Sequence, residues 1–428
     1  MNSLGKRYYP IERIQFAEHT AIEGSTLFIA GGLCDEAFAL ANQDIVRQMR
    51  LDIIDRDHDG YSDTILDVLP LAVKEGDAPL GAGVTRVLDG VVLMLAGKDE
   101  DGEQISEAGS SEGPLRDTIL YGRPGAPDGD ELIIRVSFII KSGERMKRPG
   151  PLACHQAAEH IAEALRAALT NVAEQDFPAD ALRIYEHHRR PAKPKVLLVK
   201  EIMGQGAMHE KLLLPLQPCG IAGARSDIDM GNLPLLLSPL EALDGAVHAL
   251  TCVGPSTKET SRHYFRDPLL LAALADEELD VCGVAFVGSP AIHQQKFMVA
   301  GRLGAWAAAL DIDGAIVATE GYGNNHIDFA AHIEALAAQG IATVGATFCG
   351  NFGPLITGNS YTRYLVDCAK SASGLENSVL AENTMTAEDA DIALGMLKAL
   401  LAGEHVGAPA DRWSQETRRQ NLRKLSED

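Results

Sequence analysis

The chain has 428 residues, 46% hydrophobic and 23% charged, a composition that excludes a disordered or fibrous protein and a length that predicts two or three domains. Its 38 basic side chains are outnumbered by 60 acidic ones, and the formal net charge of −22 argues against nucleic acid and anionic membrane surfaces, which reward positive charge. The 7 cysteines (34, 154, 219, 252, 282, 349 and 368) form no C-x-x-C pair and read as reduced thiols of a cytoplasmic protein.

The opening stretch MNSLGKRYYPIERIQF holds no apolar run of signal-peptide length, so export is not expected. Residues 1–150 read as a β-rich domain. STLFIAGG, GVTRVLDGVVLMLAG and DELIIRVSFIIKSG are short runs of Val, Ile, Leu and Phe bounded by Gly, Asp and Ser. DRDHDGYSD (55–63) copies the start of a calcium-binding loop, but its twelfth position is Leu66 where a bidentate Glu is needed, so an acidic turn is expected and no metal. The polar strings at 97–117 and 121–130 read as long turns. After Pro149-Gly150-Pro151, LACHQAAEHIAEALRAALTNVAEQ has apolar positions at helical spacing and predicts a helix within a connector, 151–193. The connector ends in RRPAKP, next to His187 and His188, which lack metal-ligand spacing.

Beyond it the pattern changes. KVLLVKEI, LDVCGVAFVGS, IDGAIVATEG and IATVGATF are continuous apolar runs, as strands buried on both faces would be. NHIDFAAHIEALAAQG, between the last two, reads as a helix closed by Gly340. Strand–helix–strand order predicts a parallel sheet, so residues 194–428 read as a Rossmann-like α/β domain and the whole chain as α/β, α+β overall. The apolar window 233–250 is broken by Pro234, Pro239, Glu241 and Asp244 and does not read as a membrane span. TEGYGNNHID (319–328) leaves a strand at its C-terminal edge, where Glu320, Asn324, Asn325 and His326 are candidates to meet a substrate. A Gly-rich turn with Asn capping the next helix fits the same residues. GNFGPLITGN (350–359) looks like a backbone anion loop but completes no phosphate motif.

The most informative stretch is ALTCVGPSTKE (249–259). Upstream, Ser238-Pro239-Leu240-Glu241 fits a capping box with proline at the first helical position. Asp244-Gly245 turns the chain, and 246–253 reads as a buried strand ending on Cys252. Gly254-Pro255 breaks it, and Ser256 to Glu259 offers a second capping box, for a helix with Lys258, Arg262 and Arg266 on one face. A thiol beside a helix start and a basic stripe suits a lowered pKa or an anionic ligand. A buried structural cysteine with solvated basic side chains fits the pattern too.

LTCVGPSTKETSRHYFRDPL (250–269) resembles the processing segment of the glycine/sarcosine/betaine reductase component B alpha/beta precursor family, to which the D-proline reductase proprotein is related. DTILDVLPLAVKEG (63–76), LGAGVTRVLDGVVLMLAGKDEDG (80–102), SSEGPL (110–115), the stretch 283–329 and GNFGPLITGN are similar to the same family in the same order. The resemblance implies self-cleavage between Thr251 and Cys252, with Cys252 becoming a pyruvoyl group able to condense with an amine. Beside it, Glu259 and His263 are candidates for proton transfer and Ser256 for holding an oxyanion. Lys258, Arg262 and Arg266 are candidates for a substrate carboxylate. The implied protein is an oxidoreductase subunit of an oligomeric complex, activating an amino acid or amine for reductive C–N cleavage with a separate seleno- or thiol-containing subunit. Betaine cannot condense with a carbonyl, so the role of that group cannot be the same for every substrate. Two other readings remain open: a hydrolase or transferase with Cys252 as a lasting nucleophile and His263 as base, and a non-catalytic α/β ligand-binding scaffold.

Overall fold

The computed structural model describes residues 2–105, 111–145, 147, 149–202, 212–214, 228–247, 259–290, 293–319, 321, 323–349, 355, 357–371, 378–404 and 406. Its elements begin with β1 (Asn2–Pro10), β2 (Arg13–Ala17), β3 (Ala21–Glu23), β4 (Thr26–Ala30), α1 (Leu33–Leu40) and β5 (Val46–Ile54). Next come β6 (Tyr61–Ser62), β7 (Thr64–Leu69), β8 (Ala72–Lys74), β9 (Gly83–Asp89), β10 (Val91–Asp99), β11 (Gly113–Pro114) and α2 (Leu115–Thr118). They are followed by β12 (Leu132–Ile140), α3 (Pro149–Thr170), β13 (Leu182–His187), β14 (Lys195–Ile202), β15 (Leu212–Leu214), β16 (Ile228–Gly231) and β17 (Leu235–Leu237). Then follow α4 (Pro239–Leu243), α5 (Ser261–Phe265), α6 (Pro268–Ala275), β18 (Asp280–Gly288) and α7 (His293–Ala309). The last described elements are β19 (Gly314–Thr319), α8 (Asn325–Ala337), β20 (Ala342–Thr347), β21 (Leu365–Asp367) and α9 (Ala387–Leu401). The fold is mixed α/β, α+β overall, and no helix among the described residues is long and apolar enough to cross a membrane.

The β-rich region folds mainly as two sheets, ordered β13-β1-β9-β8 and β5-β12-β10-β7. The chain passes from β9 to β10 through Gly90, whose φ is +77° and whose Cβ, were it present, would sit 2.6 Å from the Ile11 carbonyl oxygen. Only glycine accepts both conditions. Across the sheets lies α3, which turns Ala153, Ala157, Ile161 and Leu165 at four-residue spacing into the core that holds Ile134, Val136 and Phe138. Each such Leu or Ile contributes about 1.5–3 kcal/mol by leaving water. Strand β13 then pairs with β1. The segment read as a connector is therefore built into the first core. The acidic turn at 55–60 closes on itself: Asp55 and Asp57 accept from the N–H groups of Arg56 and Asp59.

The second core surrounds a six-stranded sheet ordered β17-β18-β14-β19-β20-β21, parallel except for the β17 edge. The four long apolar runs are β14, β18, β19 and β20, buried on both faces as their composition requires. Val196 and Leu198 pack with α4, α6 and α9, whereas Leu197 and Val199 pack with α7 and α8. The parallel strands thus follow a 2-1-3-4-5 order, and the first described helix after β14, α4, and the helix after β19, α8, pack on opposite faces. That divergence makes a crevice at the carboxyl ends of β14 and β19, where open α/β sheets hold ligands.

Candidate active site

Thr251, Cys252, Ser256, Lys258 and Glu320 lie outside the described residues, and so does most of the 350–359 loop. The chain on either side of 248–258 is anchored to the first core. Helix α4 starts with the expected capping box, Ser238 and Glu241 bonding reciprocally. At its end the fully buried Asp244 accepts from Lys74 Nζ at 2.8 Å, Thr85 Oγ1 at 2.5 Å and the Gly81 N–H at 2.8 Å. A buried carboxylate needs such a set, a countercharge and donors for its lone pairs. Ala246 and Val247, expected to begin a strand, are buried without strand pairing.

Downstream, the described helix differs from the expectation of one capped by Ser256. Thr260 caps it, accepting from the His263 N–H while its hydroxyl donates to Gly125 O at 2.8 Å. Ser261 is gripped by Asp67, through its N–H at 2.9 Å and its hydroxyl at 2.5 Å. These bonds set the helix start, so α5 runs only from Ser261 to Phe265 and Arg266 falls on its C-cap.

Two of the three expected carboxylate holders, Arg262 and Arg266, are engaged elsewhere. Arg262 Nη2 meets Asp128 at 3.0 Å and Glu131 at 2.8 Å. Arg266 meets Asp128 at 2.9 Å and donates to the carbonyls of Arg123, Pro124 and Ala126. Burial alone would raise the Asp128 carboxyl, but Arg266 and Arg262 hold it below its ordinary range. In this arrangement both guanidiniums fasten α5 to the first core.

Beneath this junction lies a buried ionic cluster. Glu259 Oε1 is 3.3 Å from His263 Nε2, and among the described residues neither ring nitrogen of His263 has a hydrogen-bond partner of good geometry. Burial lowers the His263 pKa, and Glu259 opposes that shift. Lys200, third from the end of β14, pairs with Asp267 at 2.6 Å. Burial disfavours its charge, but Asp267 and Glu259 overcome the penalty and hold its pKa above the ordinary value.

Strand alternation sends the next residue, Glu201, to the opposite face. There it accepts from Thr319 Oγ1 at 3.2 Å and Asn325 Nδ2 at 3.4 Å, and His332 Nε2 lies 3.5 Å away. Lys296 binds Asp328 and Ser289 beside them. Burial and the Asp328 charge push the Glu201 carboxyl well up. Of the residues expected here, Asn325 enters the cluster, Asn324 stands at the N-cap position of α8 without a side-chain capping bond, and His326 bonds Thr347 Oγ1 at 3.3 Å. A Cβ on Gly321 would fall 2.5 Å from the Asn325 side chain, so glycine there leaves Asn325 its place.

The sequence reading missed Lys200, Glu201, Asp267, Lys296, Asp328 and His332. A signal existed for the first two: a Lys-Glu pair ends the otherwise apolar run KVLLVKEI, and buried charges need partners.

Residues 142–401 match the family model described as glycine/sarcosine/betaine reductase component B subunits. Over all 428 residues the chain is 46% identical to the D-proline reductase proprotein PrdA of Acetoanaerobium sticklandii, covering 67% of that protein. It is 23% identical to the glycine reductase complex component B subunits alpha and beta of Peptoclostridium acidaminophilum, over 79% of this chain and 77% of that protein. It is also 23% identical to the sarcosine reductase complex component B subunit alpha of the same organism, over 76% of this chain and 74% of that one. No solved structure matches. The chain belongs to the glycine/sarcosine/betaine reductase component B family, oxidoreductases of reductive C–N bond cleavage.

Proposed function

We propose that the chain is a pyruvoyl proprotein that cuts itself between Thr251 and Cys252 and then serves a reductase complex acting on an amino acid or amine. The reading is carried by the 46% identity to a reductase proprotein, which runs end to end through the 251–252 junction. That identity, against 23% to the glycine and sarcosine proteins, favours a cyclic secondary amino acid such as D-proline as the first substrate to test.

In the cleavage, the Cys252 sulfur attacks the Thr251 carbonyl carbon, and the peptide nitrogen leaves with a proton, giving a thioester. Removal of the Cys252 α-proton expels the sulfur as the thiocarboxylate of Thr251 and leaves dehydroalanine. Tautomerisation, addition of water and loss of ammonia complete a ketoamide at residue 252. The steps need a proton acceptor and a donor, and the buried Glu259–His263 pair has free ring nitrogens at the edge of the segment. Anchoring at Asp244 and Ser261 reduces the freedom the segment must lose to react. The ketoamide supplies an electrophilic carbonyl that takes up an amine and withdraws electrons from it. A separate seleno- or thiol-containing subunit supplies the reducing pair.

Intact mass under denaturing conditions, with and without hydrazine or borohydride, tests this beside Cys252→Ala. Expected are two chains, one ending at Thr251 and one carrying a trapped carbonyl at 252, with the variant uncut. A single chain with a free thiol in fresh, oxygen-protected material would remove the proposal.

A further inference from the structure

The charges of the cluster on the other face of β14 do not balance among the described residues. Glu201 and Asp328 are two buried carboxylates facing one lysine, Lys296. The nearby histidines add no charge: burial, with Lys296 beside it, pushes His332 down to about 3, and burial pushes His326 down to about 4. Among the described residues one negative charge is left over, for a proton or a cation to cover.

The unmatched hydrogen-bonding atoms are mostly of one kind. Among the described residues Glu201 Oε2, Asp328 Oδ1 and Asn325 Oδ1 are buried acceptors without a hydrogen-bond donor, and neither ring nitrogen of the fully buried His332 makes a hydrogen bond, its Nε2 stopping 3.5 Å from Glu201. Buried polar atoms are normally matched, so this many in one place point to a ligand that matches them. Such a ligand carries positive charge and several N–H donors. A metal ion fits less well, because no three His, Cys, Asp or Glu side chains among the described residues are arranged to hold one. The place also fits. Glu201, Ser289 and Thr319 stand at the carboxyl ends of β14, β18 and β19, the crevice where such sheets take ligands.

We propose that Glu201, Asp328, Asn325 and His332 form a binding site for the ammonium group of a small amine. As the cation enters, a protonated Glu201 releases its proton to solvent and the carboxylate pairs with the ammonium. That the amine is the amino-acid substrate rests on the function proposed above; the site itself does not depend on residue 252.

The test is calorimetric titration of the full chain and its Cys252→Ala variant with ammonium, methylammonium and D-proline, in two buffers of different ionisation heat. Potassium serves as a cation without N–H donors. Saturable amine binding with proton release is expected in both proteins, with potassium much weaker. Glu201→Gln, which keeps the shape, should weaken binding at least tenfold and abolish proton release. Asp328→Asn is the second variant should the first fail to fold. No saturable binding, equal binding of potassium, or binding unchanged in both variants would overturn the proposal. So would amine binding lost in Cys252→Ala but kept in Glu201→Gln, which puts the amine at residue 252 and leaves the pyruvoyl reading standing. Amine binding by wild-type chain that never cleaves would do the reverse.

Discussion

Asp67 Oδ2 lies 2.5 Å from Ser261 Oγ, joining a strand of the first core to the first turn of α5. Burial raises the Asp67 pKa to about 8, although Ser261 and Val68 donate to it. An unfolded aspartate ionises near 3.8. Between these values the native chain holds a proton that the unfolded chain lacks, so this group's contribution to stability falls as pH rises, by ~1.4 kcal/mol per pH unit. Asp67→Asn can accept and donate in the same places and removes that slope. Urea unfolding of both proteins from pH 5 to pH 8 checks it; parallel slopes would mean that Asp67 is ionised.

Strand β14 precedes residue 252 and lies between β18 and β19, which follow it. A cut at 251–252 therefore yields chains that share one sheet, with the first chain's strand paired on both edges by the second. On the proposed cut the chain would have to fold first, and the products should co-elute on size exclusion until denaturant is added. Residues 1–251 and 252–428 made separately and mixed should not rebuild the sheet efficiently, because each exposes unpaired apolar strands. Spontaneous separation of the cut chains in native buffer would contradict this topology.

Much of the six-stranded sheet was legible because its strands are buried on both faces, and KVLLVKEI or IDGAIVATEG can hardly sit elsewhere. The capping box at Ser238 was legible because its chemistry is local. What escaped was set by distant partners. Thr260 caps α5 because Gly125 and Asp67 hold that turn, residues more than a hundred positions away. Arg262 and Arg266 have the spacing of an exposed stripe, and nothing near them in the sequence announces Asp128. Helix α3 looked like a connector because its periodicity shows an apolar face but not which core receives it.

Arg266 separates two roles. With its donors on Asp128 and three carbonyls, Arg266→Lys should destabilise the chain by about 1.5–3 kcal/mol, since an ammonium cannot reproduce the planar fork. A double-mutant cycle with Asp128→Asn, read by urea unfolding, should return a coupling energy. A rise in substrate KM at unchanged stability would instead restore Arg266 as a carboxylate holder.

The rate of chain cleavage offers the most specific test of His263. Burial lowers its pKa, Glu259 and Asp267 raise it, and Lys200 lowers it. A base of this kind is neutral at pH 7, so cleavage of freshly folded precursor should be flat near neutrality and fall in acid, with the acid limb below the usual histidine value of about 6.5. Glu259→Gln removes a raising charge and should move the limb to lower pH. Lys200→Met removes a lowering charge and should move it to higher pH, in a chain destabilised by the now unpaired Asp267. His263→Gln should slow cleavage at every pH and erase the limb. If the first two variants merely slow cleavage and leave the limb where it was, His263 positions the segment and the proton goes to another group.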